Sequence, residues 1–303
     1  MATGRCVAVI IPCHNEAQSI GKVVGDFRAA LPEADIVVVD NVSTDGTAAL
    51  AKAAGARVVR EKRRGKGFAL LTGFRAAGDA DFYVMVDGDD TYPAEAVHEL
   101  LAAAADADMV IGTRLKSPEE GALPVGHGFG NRLFIFLVRL LFGIKTQDLF
   151  SGYRLLTQRY LSTSPLLAQG FEVEAELSIQ ALVNRFPVAE VPVEYRARRG
   201  DSKSKLRTFH DGTRILLAIL TFFRDYRPLT FFGLLSLFLL ILSLSGGGLV
   251  VAEYIRTGQI LRVPMAILAA GTFILSALAM ACGVLLSSIN RRAAEIVALL
   301  ARR

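Results

Sequence analysis

The chain has 303 residues, 52% of them hydrophobic, and carries 34 basic against 29 acidic side chains for a net charge of +5. A mean hydropathy of +0.41 is high for a soluble protein. Three scattered cysteines, Cys6, Cys13 and Cys282, exclude a disulfide framework and fit a reducing compartment.

Short apolar or β-branched runs at 6–11, 35–39, 57–60, 82–86 and 108–111 alternate with helix-compatible, Ala-rich stretches at 16–31, 46–54, 67–77 and 94–105. Repeated β-α units with continuously apolar strands predict an α/β domain, Rossmann-like, with a mainly parallel sheet covered on both faces. The opening run is too short for a secretory h-region and lacks its flanks, so no secretory signal is expected.

At the first strand-to-helix junction stand Pro12, Asn15 and Glu16. Asn15 or Glu16 either contacts a ligand or caps the helix. Asp40 repeats the arrangement after the second strand, followed by the turn Ser43-Thr44-Asp45-Gly46-Thr47. The loop Arg60-Glu61-Lys62-Arg63-Arg64-Gly65-Lys66-Gly67 is basic and Gly-flanked, so Lys66 can supply charge to a phosphate. Its spacing is not that of a Walker loop. No aromatic interleaving or nucleic-acid motif accompanies it, and no nucleic-acid partner is expected.

Asp87-Gly88-Asp89-Asp90 follows the apolar run Phe82-Tyr83-Val84-Met85-Val86. Carboxylates at the carboxyl edge of an open α/β sheet lie where ligands collect. As hard oxygen donors they suit Mg²⁺ or Mn²⁺, which can neutralise a diphosphate.

Two later stretches are amphipathic. In 131–145, Leu133, Phe134, Phe136, Leu137, Leu140 and Leu141 accompany Arg132 and Arg139; in 209–226, Arg214, Thr221 and Asp225 interrupt an apolar helix. Both suit the headgroup plane of a membrane, or packing on a soluble core. Residues 228–252 and 263–290 carry no charge, and each run is long enough to cross a bilayer as a helix. Arg224 and Arg227 precede the first; Arg291, Arg292, Arg302 and Arg303 follow the second. That bias predicts both termini and the N-terminal α/β domain in the cytoplasm, with the short loop outside. The expected division is 1–208 for the α/β domain, 209–227 for a juxtamembrane helix, 228–290 for two spans and 291–303 for a basic tail. Gly246-Gly247-Gly248 would allow close helix contact, which keeps a homo-oligomer open.

Taken in order, Pro12-x-x-Asn15-Glu16, Val38-Val39-Asp40, Ser43-x-Asp45-Gly46-Thr47, Gly65-Lys66-Gly67 and Asp87-x-Asp89 resemble the family 2 glycosyltransferases of the GT-A fold. Gly112-Thr113-Arg114, Asp148-Leu149-Phe150-Ser151-Gly152-Tyr153-Arg154, Phe171-Glu172-Val173-Glu174 and Ser204-Lys205-Leu206 narrow the resemblance to dolichol- and polyprenyl-phosphate sugar synthases. It covers about residues 6–226, and the terminal hairpin is similar to that of bacterial membrane-anchored members. The resemblance implies a metal-dependent enzyme that moves a sugar from a nucleotide diphosphate, UDP-hexose before GDP-mannose, to a polyprenyl or dolichyl phosphate at the cytoplasmic membrane face.

By the same resemblance, Pro12, Asn15, Glu16, Asp40, Lys66, Asp87, Gly88 and Asp89 surround the donor, and Asp87 and Asp89 hold Mg²⁺ or Mn²⁺. Arg114, Arg132, Ser151 and Lys205 receive the acceptor phosphate, while Asp89, Asp148 and Arg154 form the catalytic set. Three positions depart from the family pattern. His14 stands where Tyr is common, Val42 where a polar residue is usual, and Thr91 where many relatives have Gln as a further metal ligand. The third ligand is left to Thr91, Asp90 or water. A lipid phosphate is already anionic, so Asp148 either acts as a base or orients Arg154 and the acceptor. Two rival readings are transfer to a glycolipid hydroxyl, which requires a true base, and a membrane-anchored nucleotide-sugar binding protein with a decayed site.

Overall fold

The computed structural model describes residues 6–116, 127–143, 146–170, 172–197 and 208–300. Seven strands form one sheet: β1 (Val7–Cys13), β2 (Asp35–Asp40), β3 (Arg57–Arg60), β4 (Phe82–Met85), β5 (Met109–Lys116), β6 (Arg154–Thr157) and β7 (Val188–Glu194). Their spatial order is β3-β2-β1-β4-β6-β5-β7. The pairs β3–β2, β2–β1, β1–β4 and β5–β7 are parallel, whereas β6 runs antiparallel to both β4 and β5.

Apolar residues on both faces explain the uninterrupted strand sequences. Val9 and Ile11 of β1 join one buried cluster with Val23, Phe27 and Leu100; Ala8 and Ile10 join another with Leu70, Phe74 and Leu177. The period-2 alternation of a strand thus feeds two hydrophobic layers. Ten helices are described: α1 (Ile20–Ala30), α2 (Thr47–Ala53), α3 (Lys66–Ala77), α4 (Val97–Ala103), α5 (His127–Phe142), α6 (Gln158–Thr163), α7 (Val173–Val183), α8 (Thr208–Tyr226), α9 (Pro228–Thr257) and α10 (Val263–Leu300).

Several boundaries differ from the sequence expectation, each for a local reason. The first helix begins at Ile20 instead of residue 16, because Asn15 takes a left-handed φ of 53° and Glu16 O caps a tight turn from Ser19 N and Ile20 N. The stretch 94–105 divides into a 3-10 turn over Ala94–Ala96 and α4, just after Pro93. The expected helix over 131–145 is part of α5, which starts at His127 and ends at Phe142, followed by Gly143, whose φ of 77° suits a left-handed C-terminal stop.

Contacts divide the chain into two units, Met1–Ile219 and Leu220–Arg303. In the second, Pro228 opens α9 and Gly258, with φ 70°, closes it. The helices α9 and α10 pack on each other through Ser236, whose carbonyl accepts from Ser276 Oγ at 2.9 Å, and through Ser243 Oγ donating to Ala269 O at 2.7 Å. Outward they present Leu237, Phe238, Ile241, Leu244, Ile267, Leu268 and Leu285. Both helices are long and apolar enough to cross a membrane, with mean hydropathies of 2.4 and 2.1.

Candidate active site

Topology alone gathers the candidate residues at one edge. The parallel strands β1, β2, β3 and β4 end there at Cys13, Asp40, Arg60 and Met85. β5 runs the same way, and the antiparallel β6 starts there with Arg154 opposite Met85 and Ile111. The single reversed strand therefore delivers the loop 148–153 to the edge where the Asp87-Gly88-Asp89 turn emerges.

The ends of β1 and β2 are laced together. Asn15 N donates to Ser43 Oγ at 3.0 Å, Asn15 Oδ1 accepts from Thr44 N at 2.8 Å, and Glu16 N donates to Thr47 Oγ1 at 2.9 Å. Asp45 accepts from Ala17 N and from both Thr47 groups. Burial works to raise its carboxyl, but these hydrogen bonds outweigh that and hold it below the usual range. Asp40 is buried and accepts from Ser43 N, with Arg60 3.8 Å away. Pro12 sits in register with Val39 inside the sheet. The turn between these groups contains Val42, exposed and at φ 61°.

Asn41, which sequence reasoning passed over, organises the basic loop. Its Nδ2 donates to Arg63 O at 2.7 Å and Glu61 O at 3.3 Å, and its Oδ1 accepts from Gly65 N at 2.8 Å. Glu61 accepts from Arg63 and from Thr72 Oγ1 and is lowered to about 2, chiefly by the Arg63 side chain. The glycines of Gly65-Lys66-Gly67 do permit a close approach, but to the chain's own backbone. A Cβ on Gly67 would lie 2.0 Å from Ala168 O, and one on Gly65 2.2 Å from Gln169 O.

That packing fixes the root of Lys66, whose Nζ lies 2.5 Å from Asp87 Oδ1 and 2.6 Å from Glu174 Oε1. Burial works to depress the ammonium, yet the charges of Asp87 and Glu174 outweigh it and keep Lys66 above the ordinary lysine range. Glu174, in the first turn of α7, is buried, and its Oε2 has no hydrogen-bond partner among the described residues.

In the turn after β4, Gly88 O accepts from Ser19 Oγ at 2.7 Å. Asp89 is buried and accepts from Thr91 Oγ1 at 2.6 Å. Asp90 turns away at φ 61° and pairs with Lys22 Nζ at 2.8 Å, so Thr91, not Asp90, stands beside Asp89. Among the described residues no group of three His, Cys, Asp or Glu side chains forms a metal cage. The carboxylates of Asp87 and Asp89 in this turn are hard oxygen donors, which suit a cation whose remaining ligands are phosphate oxygens and water.

On the far side, Arg114 grips Asp148 with a bidentate pair, Nε to Oδ2 at 2.7 Å and Nη2 to Oδ1 at 2.6 Å. Burial works to raise Asp148, but the Arg114 hydrogen bonds and charge prevail and keep it an anion. The side-chain partner of Asp148 is thus Arg114. Arg154 is fully buried and donates to Leu149 O, Ser151 O and Ser178 Oγ. Its donors are thus committed to the loop and to α7, an arrangement that suits the shaping of that loop. Ser151 is likewise fully buried, and its hydroxyl donates to Gly112 O. Nothing of the Arg132 side chain is described, and Lys205 lies outside the described residues. After β7, Arg196 N donates to Thr91 O at 2.9 Å.

The glycosyl transferase family 2 profile matches residues 8–163. The glycosyltransferase AglJ of Haloferax volcanii is 32% identical over 234 residues, covering 77% of this chain and 77% of its own length. This chain belongs to glycosyl transferase family 2. A dolichyl-phosphate hexose transferase of Haloferax volcanii shares 33% identity with this glycosyltransferase over 69% of the chain and 90% of the relative. The undecaprenyl-phosphate mannosyltransferase of Micrococcus luteus shares 29% over 65% and 86%. Glucosyl-3-phosphoglycerate synthase of Mycobacterium tuberculosis, in complex with phosphoglyceric acid, superposes with a TM-score of 0.59 at 24% identity, covering 72% of this chain and 80% of that one. The last comparison shows the shared GT-A fold.

Two contributors to the glycosyltransferase site, Asn41 and Glu174, were not singled out from sequence. Asn41 follows the conspicuous Asp40, and its three loop contacts span 20, 22 and 24 residues. Glu174 lies in the motif that supports the resemblance, but only the fold brings α7 to Lys66.

Proposed function

We propose that this glycosyltransferase moves a hexose from a nucleotide-diphosphate donor, UDP-hexose before GDP-mannose, to a polyprenyl or dolichyl phosphate at the cytoplasmic face of a membrane. The observation that carries the reading is the placement of Asp87, Asp89, Lys66 and the Arg114–Asp148 pair on one sheet edge, in a chain whose relatives include enzymes named for polyprenyl-phosphate sugar transfer.

Asp40 and the Asn15–Glu16 turn would receive the nucleoside, and Lys66 the diphosphate. Asp87 and Asp89 would hold Mg²⁺ or Mn²⁺, with the donor's phosphate oxygens completing the shell. When bound, the cation supplies positive charge against that developing on the leaving diphosphate. An acceptor phosphate oxygen then attacks the anomeric carbon from the face opposite the diphosphate. The new C–O bond forms as the bond to the diphosphate breaks, with inversion. The acceptor is already anionic, so no proton need be removed. An Asp148 held as an anion by Arg114 suits orientation of that guanidinium toward the acceptor better than service as a base. Arg132 and Lys205 are proposed as further phosphate contacts.

The division 1–208, 209–227, 228–290 and 291–303 is proposed as catalytic domain, juxtamembrane helix, membrane hairpin and basic tail. Within α5, Phe136 and Leu140 are exposed one helical turn apart, which supports a lipid-facing role for that helix.

The test is incubation of the purified protein with Mn²⁺, polyprenyl phosphate and a panel of nucleotide sugars, followed by mass analysis of the lipid fraction. A glycosyl phosphoryl lipid from one donor is expected. No lipid product with any donor, from protein that is folded and binds Mn²⁺, would overturn the reading.

A further inference from the structure

Glu174 takes no part in the reaction written above, yet it is one of two carboxylates on the Lys66 ammonium and lies almost fully out of solvent. Its neighbours in α7 have other duties. Glu172 accepts from Gln169 N and Gly170 N, and Glu176 from Leu167 N and Ala168 N. Those bonds fix the segment 167–170, against which Gly65 and Gly67 are pressed. The main chain on both sides of Lys66 is therefore packed tightly against that segment. Glu174 Oε2 has no hydrogen-bond partner among the described residues, which offers that ammonium a second acceptor on the same carboxylate.

We propose that Glu174 is a positioning residue that retains Lys66 while Asp87 exchanges the ammonium for a divalent cation. The proposal rests on the reading of Asp87 and Asp89 as the cation pair. Without Glu174, a cation arriving at Asp87 must break a part-buried ion pair and leave the ammonium without its counter-charge, which is costly. With Glu174, the ammonium shifts onto a carboxylate it already touches and gains its second oxygen. Lys66 then remains beside the cation, ready for the donor diphosphate, and Asp87 is freed. Arg154 is also close enough to feel the Glu174 charge, but its donors go to carbonyls and Ser178, so it does not compete for the carboxylate.

The experiment is Mn²⁺ titration of the detergent-solubilised full chain, without donor, reading free Mn²⁺ by electron paramagnetic resonance. Wild type, Glu174→Gln, Lys66→Met and the double variant are compared, with melting temperature as the check on folding. Glu174→Gln is expected to bind Mn²⁺ about tenfold more weakly, because Lys66 is left to Asp87 alone. Lys66→Met is expected to bind Mn²⁺ about tenfold more tightly while losing nucleotide-sugar affinity. In the Lys66→Met background, adding Glu174→Gln is expected to change Mn²⁺ affinity little. The same loss in both backgrounds would mark a simple field effect and overturn the exchange, as would equal affinity in wild type and Glu174→Gln. Should Glu174→Gln fail to fold, unchanged or weaker binding by Lys66→Met overturns it instead. Failure of the wild type to bind Mn²⁺ would overturn the cation pair itself, and the exchange with it.

Discussion

Val42 is the residue where local conformation and sequence disagree most openly. Among the described residues three other non-glycine residues take a positive φ, and two of them, Asn15 and Asp90, have short polar side chains that tolerate it. A β-branched Val at φ 61° is strained, and its exposed side chain gains little packing in return. Val42→Asn is expected to raise stability by about 1 kcal/mol, seen as a higher melting temperature with the Asp40–Ser43 turn intact. Glu61 gives a prediction of the opposite kind. Its carboxyl is lowered from 4.5 to about 2 in the folded chain, chiefly by the Arg63 side chain, with Thr72 adding to it. A lowered folded value means that its stabilisation is fully present above about pH 4.5 and is lost as pH falls through about 2. Unfolding of wild type and Glu61→Gln compared across that window should show a gap that closes toward the acid end. A constant gap would mean that Glu61 is not the group titrating.

At the level of elements, the parallel half of the sheet was legible because its strands are short apolar or β-branched runs that alternate with Ala-containing helical stretches. β6 and β7 were not. Only four residues make β6, and it begins with Arg154, a side chain that reads as solvent-facing until Leu149, Ser151 and Ser178 are seen to absorb its donors. β7 lies at the end of the sheet, where Pro192 is tolerated and most residues stay partly exposed, so its pattern carries little hydrophobic signal. Residue types at the site were readable, whereas their partners were not. Arg114 and Asp148 are 34 positions apart and Lys66 and Glu174 lie on different elements, so only the reversed strand and α7 bring them together. The β6 loop meets the Asp87 turn at Gly152, where a Cβ would fall 2.3 Å from Asp87 Oδ2. Gly152→Ala must therefore displace that carboxylate. Turnover and Mn²⁺ affinity are expected to fall by more than about tenfold, while melting temperature falls by only a few degrees. A variant with wild-type Mn²⁺ affinity would show that the Asp87 carboxylate does not depend on this contact.

At the scale of the whole chain, the two units differ in what they bury. The first hides its apolar residues in two layers around a sheet, while α9 and α10 bury mainly Ser236, Ser243, Ser276 and a few small residues and leave Leu, Ile and Phe outside. That inversion is what a lipid solvent demands, since apolar side chains lose nothing there and interhelical polar groups must find partners. Charge then sets the proposed direction. Arg224, Arg227, Arg291 and Arg292 flank the outer ends of the hairpin, whereas Arg262 in the connection is paired with Glu253. The native cysteines make the orientation testable with few changes. Cys6 is exposed in the first unit, Cys13 is buried, and Cys282 lies within α10. In right-side-out vesicles a membrane-impermeant maleimide should leave Cys6 unmodified until the membrane is permeabilised, and Gln259→Cys in the connection should react at once. Reaction of Cys6 from outside, with Gln259→Cys protected, would reverse the topology and place donor chemistry on the face opposite to the one proposed.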